Sequence, residues 1–191
     1  MCSRSSLQPV SDLLLAKQAV RAAVRARLAE QNSEHRAHAS SALCQRLLAR
    51  PEWVAGSTVL LFHPLPDEPD LRALWRHAGP RRLCLPRVEG DRLRLHHVPV
   101  LAELSLGAFG VAEPVEARHP EVALAEVDLA LVPGVAFTQE GARLGRGKGF
   151  YDRLLSDPAF RGRALGICFA EQLVRSIPVG PHDRWVHAVL A

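Results

Sequence analysis

The spacing of apolar positions changes along the chain, and each change marks an element. From Asp12 to Gln31, Leu13, Val20, Val24 and Leu28 recur at helical spacing, with Ser11 or Asp12 placed to cap the start. Lys17 and Arg21 fall inside that apolar sector. Two cations on a core-facing line need an anion or a helix end within reach; the alternative is that both snorkel to solvent at the helix edge. Ser33 to Ala49 forms a second amphipathic stretch, ended by Pro51.

The pattern then shifts to short continuous apolar runs, the mark of strands buried on both faces. Such runs occupy Ser57–His63, Leu83–Val88, Val127–Phe137 and Ala164–Phe169, and Trp185–Leu190 predicts a final strand. Leu93–Val98 carries His96 and His97, which on a strand point to opposite faces and make a poor metal pair. Helical spacing returns at Leu71–His77, with Asp67 and Asp70 as caps, at Phe150–Leu155, and briefly from Glu171 and Gln172. This alternation predicts an α/β fold, a mostly parallel, Rossmann-like open sheet with helices on both faces. No repeat, low-complexity tract or linker divides the chain, so one domain is expected over residues 1–191, with residues 1–11 as a flexible extension.

Composition narrows the class. A chain of 191 residues buries roughly 70% of its unfolded surface. No apolar run approaches the ~20 residues of a membrane helix, and the first residues lack the apolar core of a signal peptide. Cys2, Cys44, Cys84 and Cys168 are scattered without C-x-x-C spacing, which points to neither zinc nor disulfides. A cytoplasmic monomer without membrane or nucleic-acid partners is the expectation. The net charge of +4 is dispersed and only 5% of residues are aromatic, which favours small anions over nucleic acid. Of the 24 basic residues only Lys17 and Lys148 are lysines, which offer a compact charge where arginine offers a planar fork.

The densest chemistry lies between Gly141 and Asp152. Four of the thirteen glycines fall there within nine residues, interleaved with Arg143, Arg146 and Lys148. A buried strand, a glycine-rich loop and a helix start make an anion cradle, in which backbone N–H groups and the cations neutralise phosphate oxygens. A basic surface turn is the blander reading. The loop is not a Walker A motif, because Gly149 follows Lys148, and its G-x-G-x-G spacing is not the dinucleotide fingerprint.

Leu131-Val132-Pro133-Gly134-Val135-Ala136-Phe137, followed by Arg143-Leu144-Gly145-Arg146-Gly147-Lys148-Gly149-Phe150-Tyr151-Asp152-Arg153, resembles the hallmark of the 5-formyltetrahydrofolate cyclo-ligase family, also called 5,10-methenyltetrahydrofolate synthetases. Lys17-Gln18-Ala19-Val20-Arg21 is similar to that family's N-terminal K-x-x-L-R element, and Gly107 to Pro114 to its G-x-x-G-I-x-E-P turn beside the substrate. The resemblance implies ATP and a reduced folate as ligands and Mg2+ as the metal. Lys17 to Arg21 and Arg143 to Tyr151 would then contact ATP. His63, Glu68 and Arg146 to Phe150 would contact the folate, Asp152 and Asp183 the metal, and Arg146, Lys148 and Tyr151 would carry catalysis. It implies that the formyl oxygen attacks the γ-phosphate, after which N10 displaces phosphate and closes the methenyl ring. Thr138 stands where the family often has Asp, and His187 where a second acidic residue follows His-Asp, which puts the metal and substrate contacts in question. An inactive nucleotide-binding module, or a ligase for another formyl or amide substrate, is the alternative.

Overall fold

A computed structural model describes residues 8–191, and in it the apolar runs line up as the middle of one sheet. The main strands are β1 (Thr58–Leu60), β2 (Arg82–Glu89), β3 (Arg92–His97), β6 (Glu121–Val122), β7 (Leu129–Val132), β10 (Arg163–Ile167) and β11 (Ala188–Leu190). Two small antiparallel pairs flank them: β4 (Ser105–Leu106) with β5 (Ala112–Glu113), and β8 (Ala136–Phe137) with β9 (Arg143–Leu144). The sheet order is β11-β10-β7-β1-β2-β3-β6. Strands β11 to β2 in that order run parallel, and β3 and β6 extend the edge antiparallel. The expected α/β sheet is therefore present, mostly parallel with a hairpin at one side.

Alternation along the central strands divides the core in two. Val59, Leu129 and Leu131 face one layer, which α1 (Gln8–Ala29) and α2 (Ser33–Leu48) supply with Val24, Leu28, Leu43 and Leu47. Leu60, Ala130 and Val132 face the other layer, where Leu154 of α4 (Phe150–Ser156) covers them. Helices thus cover both faces, each buried aliphatic side chain contributing about 1.5–3 kcal/mol. The short helix α3 (Pro51–Ala55) places Trp53 against the first layer. Burial pushes the thiols of Cys44, Cys84 and Cys168 up, to about 11, 12 and 12, so these free cysteines are inert packing groups. No helix among the described residues is long and apolar enough to cross a membrane.

Several boundaries differ from the pattern. Helix α1 is already running at Gln8, so neither Ser11 nor Asp12 caps it. Pro9 is pre-set for helical φ and is tolerated in an early helical turn. Of the extension expected over residues 1–11, residues 1–7 and Cys2 among them lie outside the described residues, and residues 8–11 are helical. The run Val127–Phe137 breaks after Val132, because Pro133 has no N–H to continue the ladder. The turns at Arg72–His77 and Ala170–Gln172 are 3-10 rather than α-helical. Asp70 does cap the first, its Oδ1 accepting from Arg72 N at 2.9 Å, whereas Asp67 pairs elsewhere.

Candidate active site

The chain doubles back from β8 to β9 before the glycine loop begins. Gly141 sits at the turn with φ 100°, and a Cβ there would lie 2.3 Å from the Val186 carbonyl, so only glycine fits. Thr138 Oγ1 accepts the Ala142 N–H at 3.3 Å, which ties the turn. Arg143 therefore lies on a strand, 4% exposed, and not in the loop. Its Nη2 donates to Asp152 Oδ1 at 2.7 Å and its Nη1 to the Pro133 carbonyl at 3.3 Å, with the guanidinium over the Tyr151 ring at 5.8 Å. The expectation that Arg143 neutralises phosphate is corrected to this extent: its charge is already committed to Asp152. Leu144 is buried too. The loop proper runs from Gly145 to Gly149, with Gly147 at φ 104° and Gly149 at φ 70° as the cap of α4. Since α4 is seven residues long, its dipole adds little to the side-chain cations.

A large cleft of about 1430 Å³ opens on one side of this loop. Helix α1 lines it with Lys17, Gln18 and Arg21, while Ala19 and Val20 turn away, to solvent and to the core. The element thus contributes alternate helical positions and not a continuous segment. Neither cation snorkels to solvent: Arg21 Nε donates to the Gly145 carbonyl at 2.9 Å, and Lys17 Nζ reaches both oxygens of Asp183 at 2.5 and 2.7 Å. Burial pushes the Arg21 guanidinium below its ordinary value, as does Arg25, against the pull of Asp183. Burial alone would raise the Asp183 carboxyl, but Lys17, the Gly180 N–H and Arg143 together hold it below the usual range.

Asp152 and Asp183 both line this cleft. No cluster of three or more His, Cys, Asp or Glu able to hold a metal occurs among the described residues. The pair still suits Mg2+, which is commonly held by one or two carboxylates plus substrate phosphates. Asp152 Oδ1 takes its bonds from Arg143 and the Arg184 N–H (3.2 Å), which leaves Oδ2 open, whereas Asp183 must first part from Lys17. The Arg184 contact has no sequence signal, since it joins positions 32 apart through a backbone group.

A second, more apolar cavity of about 310 Å³ lies across the loop, lined by His63, Glu68, Phe109, Lys148 and Tyr151. Gly145, Arg146, Gly149 and Phe150 face both cavities. Arg146 reaches over to Glu68 Oε1 at 3.0 and 3.1 Å and to Asp67 at 2.5 Å, fastening the loop to the segment after β1. Burial pushes the Glu68 carboxyl up, with Arg146 opposing. Tyr151 Oη and His63 Nδ1 are buried here without a hydrogen-bond partner among the described residues. Burial raises the Tyr151 hydroxyl and lowers the His63 ring from their ordinary values, so both are neutral near pH 7. Unpaired buried polar atoms at a cavity wall are what a polar ligand satisfies. Lys148 is exposed, its Nζ 5.7 Å from the Phe109 ring.

At the two positions that depart from the family pattern, the side chains accept backbone N–H groups. Thr138 caps the β8–β9 turn, and His187 Nδ1 accepts the Ala164 N–H at 2.9 Å. Neither lines either cavity.

Comparison with known proteins agrees with this arrangement. The model of the 5-formyltetrahydrofolate cyclo-ligase family matches residues 14–191. The mouse 5-formyltetrahydrofolate cyclo-ligase is 29% identical over 188 residues, covering 92% of this chain and 93% of that one. The enzyme of that name from Mycolicibacterium smegmatis is 34% identical over 139 residues, covering 68% and 71%. The solution structure of Aquifex aeolicus 5,10-methenyltetrahydrofolate synthetase superimposes with a TM-score of 0.80 at 36% identity, over 91% of this chain and 88% of that one. With the match running from α1 through the glycine loop to β11, the chain belongs to the 5-formyltetrahydrofolate cyclo-ligase family.

Proposed function

We propose that the chain is an ATP-dependent ligase that converts 5-formyltetrahydrofolate to 5,10-methenyltetrahydrofolate with release of ADP and phosphate. The observation that carries this reading is the shared loop, because Arg146 and Phe150 face a large charged cleft on one side and a small apolar cavity on the other. The charged cleft, with Lys17, Arg21 and the loop N–H groups, suits a nucleotide triphosphate. The apolar cavity, with orphaned polar atoms at Tyr151 and His63, suits a flat heterocycle. The γ-phosphate and the formyl group then meet at the loop.

The chemistry asks the protein for alignment and charge neutralisation. The formyl oxygen attacks the γ-phosphorus and ADP leaves, N10 attacks the activated carbon and loses its proton, and phosphate departs with the formyl oxygen. Arg146 and Lys148 would balance the transferring charge, while Arg143 holds Asp152 in position. Mg2+, held by Asp152 and by Asp183 once Lys17 releases it, would neutralise phosphate oxygens. Mixing the protein with ATP, Mg2+ and 5-formyltetrahydrofolate should produce the methenyl chromophore. With heavy oxygen in the formyl group, the label should appear in inorganic phosphate. No chromophore would refute the activity, and chromophore with unlabelled phosphate would refute the route.

A further inference from the structure

Glu113 is 5% exposed, and among the described residues no hydrogen bond or ion pair reaches its carboxylate. It sits on β5, where its backbone pairs with β4 opposite Ser105, and its side chain lines the small cavity with Glu68. The contrast with Glu68 is plain. Glu68 has the Leu65 N–H and Arg146, whereas Glu113 has nothing. A carboxylate on a buried side chain at a cavity wall, with no protein donor on its oxygens among the described residues, is an open acceptor, which points to a ligand that completes it. The chain also makes room for it. A Cβ at residue 107 would lie 2.3 Å from Glu113 Oε2, so Gly107 is the residue that lets the loop close over the carboxylate.

Resting on the ligase reading above, we propose that Glu113 is a second substrate-binding carboxylate, accepting hydrogen bonds from N–H donors of the bound reduced pterin. A tetrahydropterin presents donors on more than one edge, at the 2-amino and N3–H groups and at N8–H. Two acceptor-only side chains in one cavity match such a ligand, and select against heterocycles that present acceptors there.

The test compares Glu113→Met, similar in length and without an acceptor oxygen, with Glu113→Gln, which keeps one. Calorimetry with 5-formyltetrahydrofolate should show binding weakened by about ten- to a hundredfold in the methionine variant and by less in the glutamine variant. ATP affinity should be unchanged in both. The melting temperature of the ligand-free protein should stay level or rise, because no hydrogen bond or ion pair among the described residues is lost with the carboxylate. Undiminished folate binding in Glu113→Met overturns the proposal. A parallel fall in melting temperature and in affinity for both substrates also overturns it, by making Glu113 a prop for the Gly107 loop. If the parent protein itself binds no reduced folate, the ligase reading fails and this inference with it.

Discussion

Replacing Lys17 tests how the charged cleft balances its own charges. Lys17 Nζ lies 2.5 and 2.7 Å from the Asp183 oxygens, with side chains 12% and 18% exposed. At that distance unit charges attract by about 6 kcal/mol at an effective dielectric near 20. Desolvation and side-chain ordering return most of it, leaving about 1–3 kcal/mol for a pair between the surface and buried regimes. The folded Asp183 carboxyl is held below its ordinary value, so the stability it confers is present above the unfolded pKa, about 3.9, and is lost as pH falls through the folded one. In metal-free buffer at pH 7, Lys17→Met should therefore lose about 1–3 kcal/mol in urea denaturation, and the gap to the parent should close in acid. On the proposed ligase reading the same pair opposes nucleotide binding, since Lys17 would have to leave Asp183 to meet a phosphate. Asp183→Asn should accordingly tighten metal-free ATP by about five- to a hundredfold, whereas Lys17→Met should weaken it by about 1.5–3 kcal/mol. Calorimetry and a double-mutant cycle measure both. A coupling below about 0.5 kcal/mol, or weaker metal-free ATP binding in Asp183→Asn, refutes the reasoning.

Three other substitutions separate support from contact. Arg143→Met leaves Asp152 without its cation at the cleft wall and should cost about 2–4 kcal/mol in chemical denaturation, whereas a loss of ATP affinity at full stability would make Arg143 a phosphate ligand. Tyr151→Phe removes a hydroxyl that has no protein partner, so stability should change by less than about 0.5 kcal/mol while turnover falls; unchanged turnover would leave the ring as a packing element. Lys148→Ala should leave the melting temperature in place and weaken ATP about tenfold, because its exposed ammonium makes no hydrogen bond among the described residues; equal ATP affinity would remove Lys148 from the proposed phosphate site.

The sequence disclosed those parts whose physics is local. A turn built from glycines between cations is written close together in the chain, so the Gly145 to Gly149 loop was legible, as was the line of Lys17 and Arg21 along one face of a helix. Strands buried on both faces read as apolar runs, so the sheet was legible as well. What stayed hidden depends on distant partners. Arg143 looks like a third loop cation until β8 and β9 pair and turn it onto Asp152. Asp67 has the composition of a helix cap, yet Arg146, 79 positions on, is the stronger partner. The small cavity draws walls from the segments near residues 63, 88, 111 and 145, and no local pattern announces such a meeting.

The glycine loop between the two cavities has one more consequence, and it concerns entropy. Gly147 and Gly149, both at positive φ, belong to a stretch that loses more backbone freedom on ordering than any other residue type would. Because Gly145, Arg146 and Gly149 line both cavities, any ordering of that stretch on binding would serve the occupants of both at once. Whichever arrives first bears the ordering, and the second meets a wall already fixed. Reciprocity then requires each to raise the other's affinity by the same factor. A partition that belongs to both chambers makes the binding of either one a statement about the other.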